Sequence, residues 1–450
     1  MSHAASAQGS QQLSILGAVV VVAGLVIGAG IFKTPSLIAG LVADTQIVWI
    51  WVAAAVLSLI GALCYVELIT RFPSQRGELG FLSEAFGPRL SFVYGWAKAT
   101  VINPGAIAML AFVLADYWTP LWPGLAGANV WLALAVILVL TAVNFWGLRF
   151  SARLQLVLLG MEVILLVVVS VVALSLAGDA SAVPPALAPA AQSPSLGAIG
   201  LAMIFALLTF GGWNEAAYLV RDLRGGQSQM LKVLVLSLAL ITAVYLLVNL
   251  ALIHLLGAGP LAQSKAPIGD LASRVFGDWG TAVVLAVVSA SILTSINATM
   301  VVGARATASM AEEWAKLDRL SRWREARGTP IPALVFQSAV SLILVAFASV
   351  SHGAFAALVE FTAPVYWGFL CLVGVSLLLL RRRFAQAQGF VLPLGPALPL
   401  VFILSSAYLT YSSLSYAESQ GNAWVSVAVV AVGVLVSVFL GRVQPAKAEG

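Results

Sequence analysis

The feature that most constrains this chain is a series of apolar runs, each about 20 residues long or longer. As a helix, a run of that length crosses the roughly 30 Å hydrocarbon core of a bilayer. Only 9% of the residues are charged, whereas soluble domains carry roughly 25%. The sequence therefore predicts an all-α polytopic membrane protein. Its twelve predicted transmembrane helices cover residues 14–37, 47–70, 90–117, 129–148, 153–177, 197–220, 232–257, 279–307, 331–350, 354–380, 394–416 and 423–441.

The basic residues are distributed unevenly between the two sides of the membrane. With the N-terminus inside, 20 of the 23 Lys and Arg residues fall in the cytoplasmic half, and Lys33, Lys265 and Arg274 fall outside. Because positive residues favour cytoplasmic loops, this bias predicts a cell-membrane protein with both termini in the cytoplasm. The net charge of +5 thus reflects membrane topology and does not indicate nucleic-acid binding. Residues 1–13 lack the basic region of a signal peptide, so the first run is expected to be a span.

Two of the apolar runs are interrupted by glycines. The first run contains Gly28-Ala29-Gly30, and the sixth contains Gly211-Gly212. Glycine is a weak helix former, and irregular backbone inside a membrane is tolerated where it lines a cavity. Because the breaks recur five spans apart, they predict two inverted repeats around a substrate site. The predicted organisation is a tail at 1–13, a transport core at 14–380 comprising spans 1–5 and 6–10, two further spans within 381–441, and a tail at 442–450.

The backbone groups freed at the two breaks are expected to bind different parts of a substrate. A break in span 1 exposes the N-terminus of its outer half, whose free amides and helix dipole suit a carboxylate. Carbonyls freed at both breaks suit an ammonium group, so the pair predicts a site for an amino-acid backbone. The predicted carboxylate-binding amides belong to Ala29, Gly30 and Ile31, and the predicted ammonium-binding carbonyls to Val26, Ile27, Leu208, Thr209 and Gly211. An alternative for span 1 is close helix packing, since Gly24 and Gly28 have the required spacing.

Several motifs in matching spans resemble those of one transporter family. Span 1 carries Ile27-Gly28-Ala29-Gly30-Ile31-Phe32, span 2 ends with Tyr65-Val66-Glu67-Leu68, and span 6 has Gly211-Gly212-Trp213-Asn214. Together they resemble amino-acid permeases of the amino acid–polyamine–organocation superfamily, with most similarity to the L-type amino-acid transporter branch. The resemblance implies a leucine-transporter-type fold with a 5+5 inverted repeat, broken helices 1 and 6, and alternating access.

The resemblance also bears on the part of the site that contacts the substrate side chain. Leu208 stands where the family often has a bulky aromatic gate, so a smaller gate is expected, with Phe210 as a partial substitute. Gly212, the second glycine of the break in span 6, is also a predicted substrate-binding residue. Asn297 on span 8 either contacts the ligand or bonds a neighbouring helix. No acid clearly enters from spans 3 or 8, which favours a neutral substrate side chain.

Ionisable residues within spans mark functional sites by default. Aligned on Arg153-Leu154-Gln155, Glu162 falls where many relatives carry a lysine that bridges spans 1 and 8. A buried carboxylate there can exchange a proton, bind Na⁺, pair with a basic ligand group, or accept from freed backbone amides. Glu67 is expected to pair with Arg71 four residues later. Glu215 is expected to pair with Lys98 or to cap freed backbone, and Glu360 to belong to a gate or a hydrated vestibule.

The sequence thus predicts a secondary active transporter of neutral amino acids, coupled to protons, whose other partner is membrane lipid. Obligate exchange, Na⁺ coupling and an organic amine substrate remain open alternatives, as does a transporter-like nutrient sensor. No cofactor or metal site is expected. The histidines are His3, His254 and His352, and they form no ligand cluster or catalytic set with acidic residues. The sequence therefore does not favour an enzyme.

Overall fold

The described part of the chain in the computed structural model is helical and contains no strand. The described residues are 14–28, 30–72, 76–119, 124, 127–146, 152–176, 195–218, 223, 226–322, 330–350 and 353–440. Within them the α-helices are α1 Ile15–Val26, α2 Gly30–Ala39, α3 Asp44–Arg71, α4 Glu78–Phe86, α5 Pro88–Ala97, α6 Asn103–Trp118, α7 Asn129–Phe145, α8 Ala152–Ser175, α9 Leu196–Thr209, α10 Met230–Leu256, α11 Ala258–Gln263, α12 Pro267–Ala311, α13 Asp318–Ser321, α14 Ile331–Ala348, α15 Ala354–Arg383, α16 Ala397–Ser419 and α17 Ala423–Phe439.

Many of these helices have the length and surface of membrane spans. Among the described residues, nine helical segments are long and apolar enough to cross a bilayer, and three shorter apolar helices have 10–17 residues. Large apolar side chains lie on their outer surfaces, such as Trp131 at 73%, Ile164 at 64% and Leu404 at 66% exposure. Exposed apolar surface of this extent is unfavourable in water, and lipid explains it. The prediction of an all-α, multi-pass membrane protein is confirmed.

Both glycine segments stop a helix. In the first, α1 begins after Ser14, whose hydroxyl accepts from the Gly17 amide at 3.1 Å, and it ends at Val26. Ile27 then turns to an extended conformation with ψ of 103°, and α2 begins at Gly30.

In the second segment, α9 ends at Thr209 and a 3₁₀ helix follows over Trp213–Tyr218. Between them, Gly212 has φ of 108°, a conformation that residues with a Cβ rarely adopt. Helix α1 thus ends two residues before Gly28, and α9 ends two residues before Gly211.

The third predicted span is a helix with a wider turn in its middle. A π-helical segment, Lys98–Ile102, joins α5 to α6. Pro104 lies in the first turn of α6 and has no amide to donate to the preceding turn, so the regular α-helical bonding pattern cannot continue through it. Such π segments frequently occur at functional sites. This one brings Lys98, Ile102 and Asn103 to the wall of one cavity.

The helix α12 is two helical segments separated by Gly277. That glycine has φ of 67° and ψ of −158°, which is not helical. The part before it is a short helix over residues 267–276, and the part after it contains the predicted span 279–307.

Candidate substrate site between the interrupted helices

A cavity of about 270 Å³ lies between the two interrupted segments. Its wall includes residues of α1, α2, α6, α9, α12 and α15. The volume is just under the roughly 300–1,000 Å³ of typical small-molecule sites, which suits a small ligand. The predicted binding residues that line it are Val26, Gly28, Gly30, Leu208, Thr209, Gly211 and Gly212. The structure therefore brings residues from both breaks into one site.

The two breaks also touch each other directly. A Cβ added to Gly30 would lie 3.0 Å from the Thr209 Cα and 2.9 Å from its Cγ2, so glycine is required there. The hydroxyl oxygens of Thr34 and Thr209 are 2.8 Å apart, and the Thr34 hydroxyl also lies 2.9 Å from the Gly30 carbonyl. The Thr209 hydroxyl donates to the Phe205 carbonyl at 2.8 Å, so the single Thr34 proton is shared between the Gly30 carbonyl and the Thr209 oxygen. These bonds hold α2 against α9.

A tyrosine from a third helix joins the two breaks. The Tyr245 hydroxyl on α10 lies 3.0 Å from the Val26 carbonyl and 3.1 Å from the Thr209 carbonyl. A hydroxyl carries one proton, so the two carbonyls share this donor. The tyrosine side chain is fully buried. Sequence analysis missed this residue, although a lone tyrosine hydroxyl in an apolar span is a polar group that needs a partner.

The backbone carbonyls at the second break have hydrogen-bond partners that the sequence does not predict. The Gly211 amide donates to the Leu208 carbonyl at 3.1 Å, because the chain tightens to three-residue spacing after α9. The Thr209 carbonyl is bonded to Tyr245. The expectation that the carbonyls of Leu208 and Thr209 are unpaired is therefore wrong, although each carbonyl oxygen retains a second lone pair.

The amide side of the predicted site lies at the start of α2. By helix geometry the first amides of α2, from Gly30 and Ile31 onward, have no acceptor within the helix. The side chains of Ile27 and Ile31 are buried and do not line the cavity. Ala29 lies outside the described residues, so its predicted amide contact remains a prediction.

Two predicted pocket residues have structural partners instead. The Phe210 ring is buried against Trp51 and Tyr245, with ring centroids 6.1 and 5.1 Å away, and it does not line the cavity. The Asn297 carbonyl oxygen accepts from the Asn144 amide nitrogen at 2.7 Å, which is the helix–helix alternative.

A buried cluster of charges borders the cavity. The Lys98 Nζ lies 3.0 Å from both the Glu78 Oε2 and the Glu215 Oε1, which confirms the predicted pairing of Lys98 with Glu215. Glu78 also accepts hydrogen bonds from Tyr94, from Tyr65 at 2.7 Å and from Asn214 at 2.9 Å. Of this cluster, Tyr94, Lys98, Asn214 and Glu215 line the cavity.

The environment of Glu78 favours its charged form. Burial opposes ionisation, but the Lys98 charge and the hydrogen bonds from Tyr94 and Tyr65 outweigh it, so the pKa of the Glu78 carboxyl lies below its usual range. Glu78 lies on α4, outside the candidate spans.

Glu162 lies on α8 and is 2% exposed. Its Oε2 accepts from the Ser291 hydroxyl on α12, and its Oε1 is buried with no hydrogen-bond partner within the described residues. One helical turn after Ser291, the Ser295 hydroxyl lies 3.4 Å from the point that a Cβ on Gly28 would occupy. Helix α12 thus bonds Glu162 through Ser291 and lies beside Gly28 at Ser295.

The other two membrane acids have partners away from the cavity. Glu67 pairs with Arg71 at 2.9 Å, as predicted, and also with Arg381. Glu360 accepts from the Asn422 amide nitrogen at 2.9 Å.

A cavity among helices that are long and apolar enough to cross a bilayer is the arrangement expected of a membrane transporter. The amino acid permease family matches residues 13–439, so the chain belongs to that family. It is accordingly an amino-acid transporter and not an enzyme.

Known relatives cover nearly the whole chain. It is 26% identical over 412 residues to the b(0,+)-type amino acid transporter 1 of Homo sapiens, across 90% of this chain and 82% of that protein. It is 23% identical over 410 residues to the serine/threonine exchanger SteT of Bacillus subtilis (strain 168), across 90% and 91%. A solved manganese transporter of Eremococcus coleocola has the same fold, with a TM-score of 0.60, 15% identity, and coverage of 98% of this chain and 95% of that chain.

Proposed function

We propose that this protein is a secondary active transporter of neutral amino acids that works by alternating access and is coupled to protons. The observation that carries the proposal is that glycine breaks about 180 residues apart line one cavity of about 270 Å³. The protein would lie in the cell membrane with both termini in the cytoplasm, consistent with the excess of Lys and Arg in the predicted inner loops.

The proposed architecture has twelve spans. The nine long apolar helical segments and the three shorter apolar helices support that number. The interruptions in the first and sixth spans support an inverted repeat of five and five within residues 14–380, with two further spans in 381–441 and tails at 1–13 and 442–450. The exposed apolar side chains of the span helices support direct contact with lipid.

The substrate's carboxylate would bind the amides at the start of α2, and its ammonium group the carbonyls around the breaks. The side chain would be neutral, because the charged residues of the described cavity wall, Lys98 and Glu215, already pair with each other. The Bacillus relative supports this assignment, since serine and threonine are neutral amino acids.

Glu162 would carry the coupling proton. A buried carboxylate without a cationic partner is costly, so it is stable either protonated or with a bound cation. Among the described residues, no Lys, Arg or His side chain forms an ion pair with Glu162. Through Ser291 and α12, its protonation state would act on the packing beside Gly28.

Uptake into proteoliposomes tests this function. Radiolabelled L-alanine and L-serine are supplied with and without an inward pH gradient, and accumulation above the external concentration is expected only with the gradient. Absence of both uptake and counterflow for every amino acid would refute amino-acid transport.

Obligate exchange is the second candidate, because the Bacillus relative is an exchanger. Exchange requires amino acid inside the vesicle and no gradient, so uptake that depends only on internal substrate would favour it over proton symport. Replacement of Na⁺ by choline tests whether Na⁺ binds in place of the proton.

A further inference from the structure

An ion pair joins the outer half of the first predicted span to the third. The Lys33 Nζ on α2 lies 2.7 Å from the Asp116 Oδ2 near the end of α6, and 3.3 Å from the Lys265 carbonyl. Asp116 also accepts from the Asn129 amide nitrogen at 2.9 Å. Only 11% of the Lys33 side chain and 20% of the Asp116 side chain are exposed. The pair therefore lies within the packing of the helices, where water and salt screen it less than an exposed pair.

A buried hydrogen bond beside the ion pair joins the same two helices. The Tyr117 hydroxyl on α6 donates to the Phe32 carbonyl on α2 at 2.9 Å, and the two rings meet edge to face with centroids 6.1 Å apart. Phe32 is fully buried and Tyr117 is 3% exposed. Two consecutive residues of α2 thus contact two consecutive residues of α6, which fixes how the two helices sit against each other.

This contact lies at one end of the cavity. Thr34, the residue after Lys33, lines the cavity. Along the third predicted span the cavity wall runs from Tyr94 to Leu110, and Asp116 lies six residues, or about 9 Å, further along α6. In the proposed topology this end of the cavity faces the outside.

We propose that Lys33 and Asp116 form a latch that holds α2 on α6 and closes the outer end of the substrate site. The inference rests on the proposed function, because α2 supplies the amides that are expected to bind the substrate's carboxylate.

The charges of the pair set the direction of the effect. Removal of either charge leaves the other one partly buried without its partner, which destabilises the closed arrangement. Separation of the helices returns the remaining charge to water, so the loss of one partner favours the open arrangement. Substrate that enters from the outside would pass between α2 and α6 when the pair separates, and the pair would form again behind it.

Labelling of a cysteine in the cavity wall tests the latch in the full-length protein in intact cells. The parent protein carries Ala106→Cys, since Ala106 lines the cavity, and a protein without this change gives the background from Cys64 and Cys371. A maleimide that does not cross the membrane is added outside. Lys33→Met and Asp116→Asn are each expected to speed labelling about threefold to tenfold, somewhat more than an exposed ion pair supplies. The reversed pair, Lys33→Asp with Asp116→Lys, is expected to label more slowly than either single variant.

Lys265→Met is the matched control. It removes an exposed lysine of the same charge beside the pair and keeps the backbone carbonyl that contacts Lys33, so labelling at the parent rate is expected. Unchanged labelling in both Lys33→Met and Asp116→Asn would overturn the latch, and so would a reversed pair that labels as fast as the single variants. Uptake of radiolabelled L-alanine by the wild type is measured separately. Its absence, together with that of every other amino acid, would refute the underlying function, whereas the labelling rates report on the latch alone.

Discussion

The Cα of Thr209 lies 3.0 Å from the point that a Cβ on Gly30 would occupy. These residues belong to the two interrupted segments, so the breaks are in van der Waals contact through backbone and leave no room for a side chain. The contact explains why a residue without a Cβ is needed at the start of α2, separately from any need for backbone freedom.

Gly30→Ala is therefore expected to separate α2 from α9 and to abolish measurable amino-acid uptake. Overpacking of this kind costs about 1–3 kcal/mol of stability, so the variant should still fold with a lowered melting temperature. Gly160→Ala is the matched control, because a Cβ there meets no atom within 4 Å and alanine in a helix is favoured by roughly 0.5–1 kcal/mol. Equal uptake by the two variants would contradict the role of the Gly30 contact.

Tyr245→Phe removes the donor that Val26 and Thr209 share. Loss of a buried hydrogen bond that leaves acceptors unpaired costs about 1–3 kcal/mol, so a lower melting temperature and weaker substrate binding are expected. Tyr411→Phe, at a residue that is 69% exposed, should change neither property. Thermal unfolding with and without substrate measures both effects, and a Tyr245→Phe protein with wild-type affinity would show that the hydroxyl does not organise the site.

Lys98→Met leaves the buried carboxylates of Glu78 and Glu215 without their cation. Removal of one partner from a buried pair costs about 3–5 kcal/mol, and the double variant Lys98→Met with Glu215→Gln should recover part of that loss. Arg322→Gln is the control, because its pair with Asp318 is exposed and such pairs contribute at most about 1 kcal/mol. Equal melting temperatures of the Lys98→Met and Arg322→Gln proteins would contradict a stabilising role for the buried charge cluster.

Glu162→Gln replaces the proposed proton carrier with a neutral side chain of the same shape. Substrate binding and counterflow are expected to remain, while accumulation driven by a pH gradient is lost. Glu360→Gln provides the control, because that acid bonds Asn422 away from the cavity, and its variant should keep gradient-driven uptake. Unchanged accumulation by Glu162→Gln would exclude Glu162 as the coupling group.

Local features of the sequence were sufficient to predict the long apolar helices. The predicted span 232–257 corresponds to α10 at Met230–Leu256, and the span 331–350 to α14 at Ile331–Ala348. Length and apolarity identify such helices because each must cross the same thickness of hydrocarbon. The low helix propensity of glycine is likewise a property of the residue itself, and α1 and α9 end two residues before Gly28 and Gly211.

Contacts within the site depended on the tertiary structure. The bond from Tyr245 to Val26 joins residues 219 positions apart, and the pair of Glu215 with Lys98 spans 117. The sequence suggested the pair of Glu215 with Lys98 because a charge buried in a span requires a partner of opposite charge. A tyrosine hydroxyl can bond many groups, so the sequence did not indicate the partners of Tyr245.

The sequence by itself determined that this chain crosses the membrane many times and that two apolar runs carry glycines at their centres, because hydropathy and glycine content are local properties. Only the tertiary structure decided that Phe210 packs against Trp51, that Asn297 bonds Asn144, and that Asn103 lies at the cavity wall. The reason is physical: a side chain's partner is set by how distant helices pack, and that packing is not encoded in any single stretch of the chain.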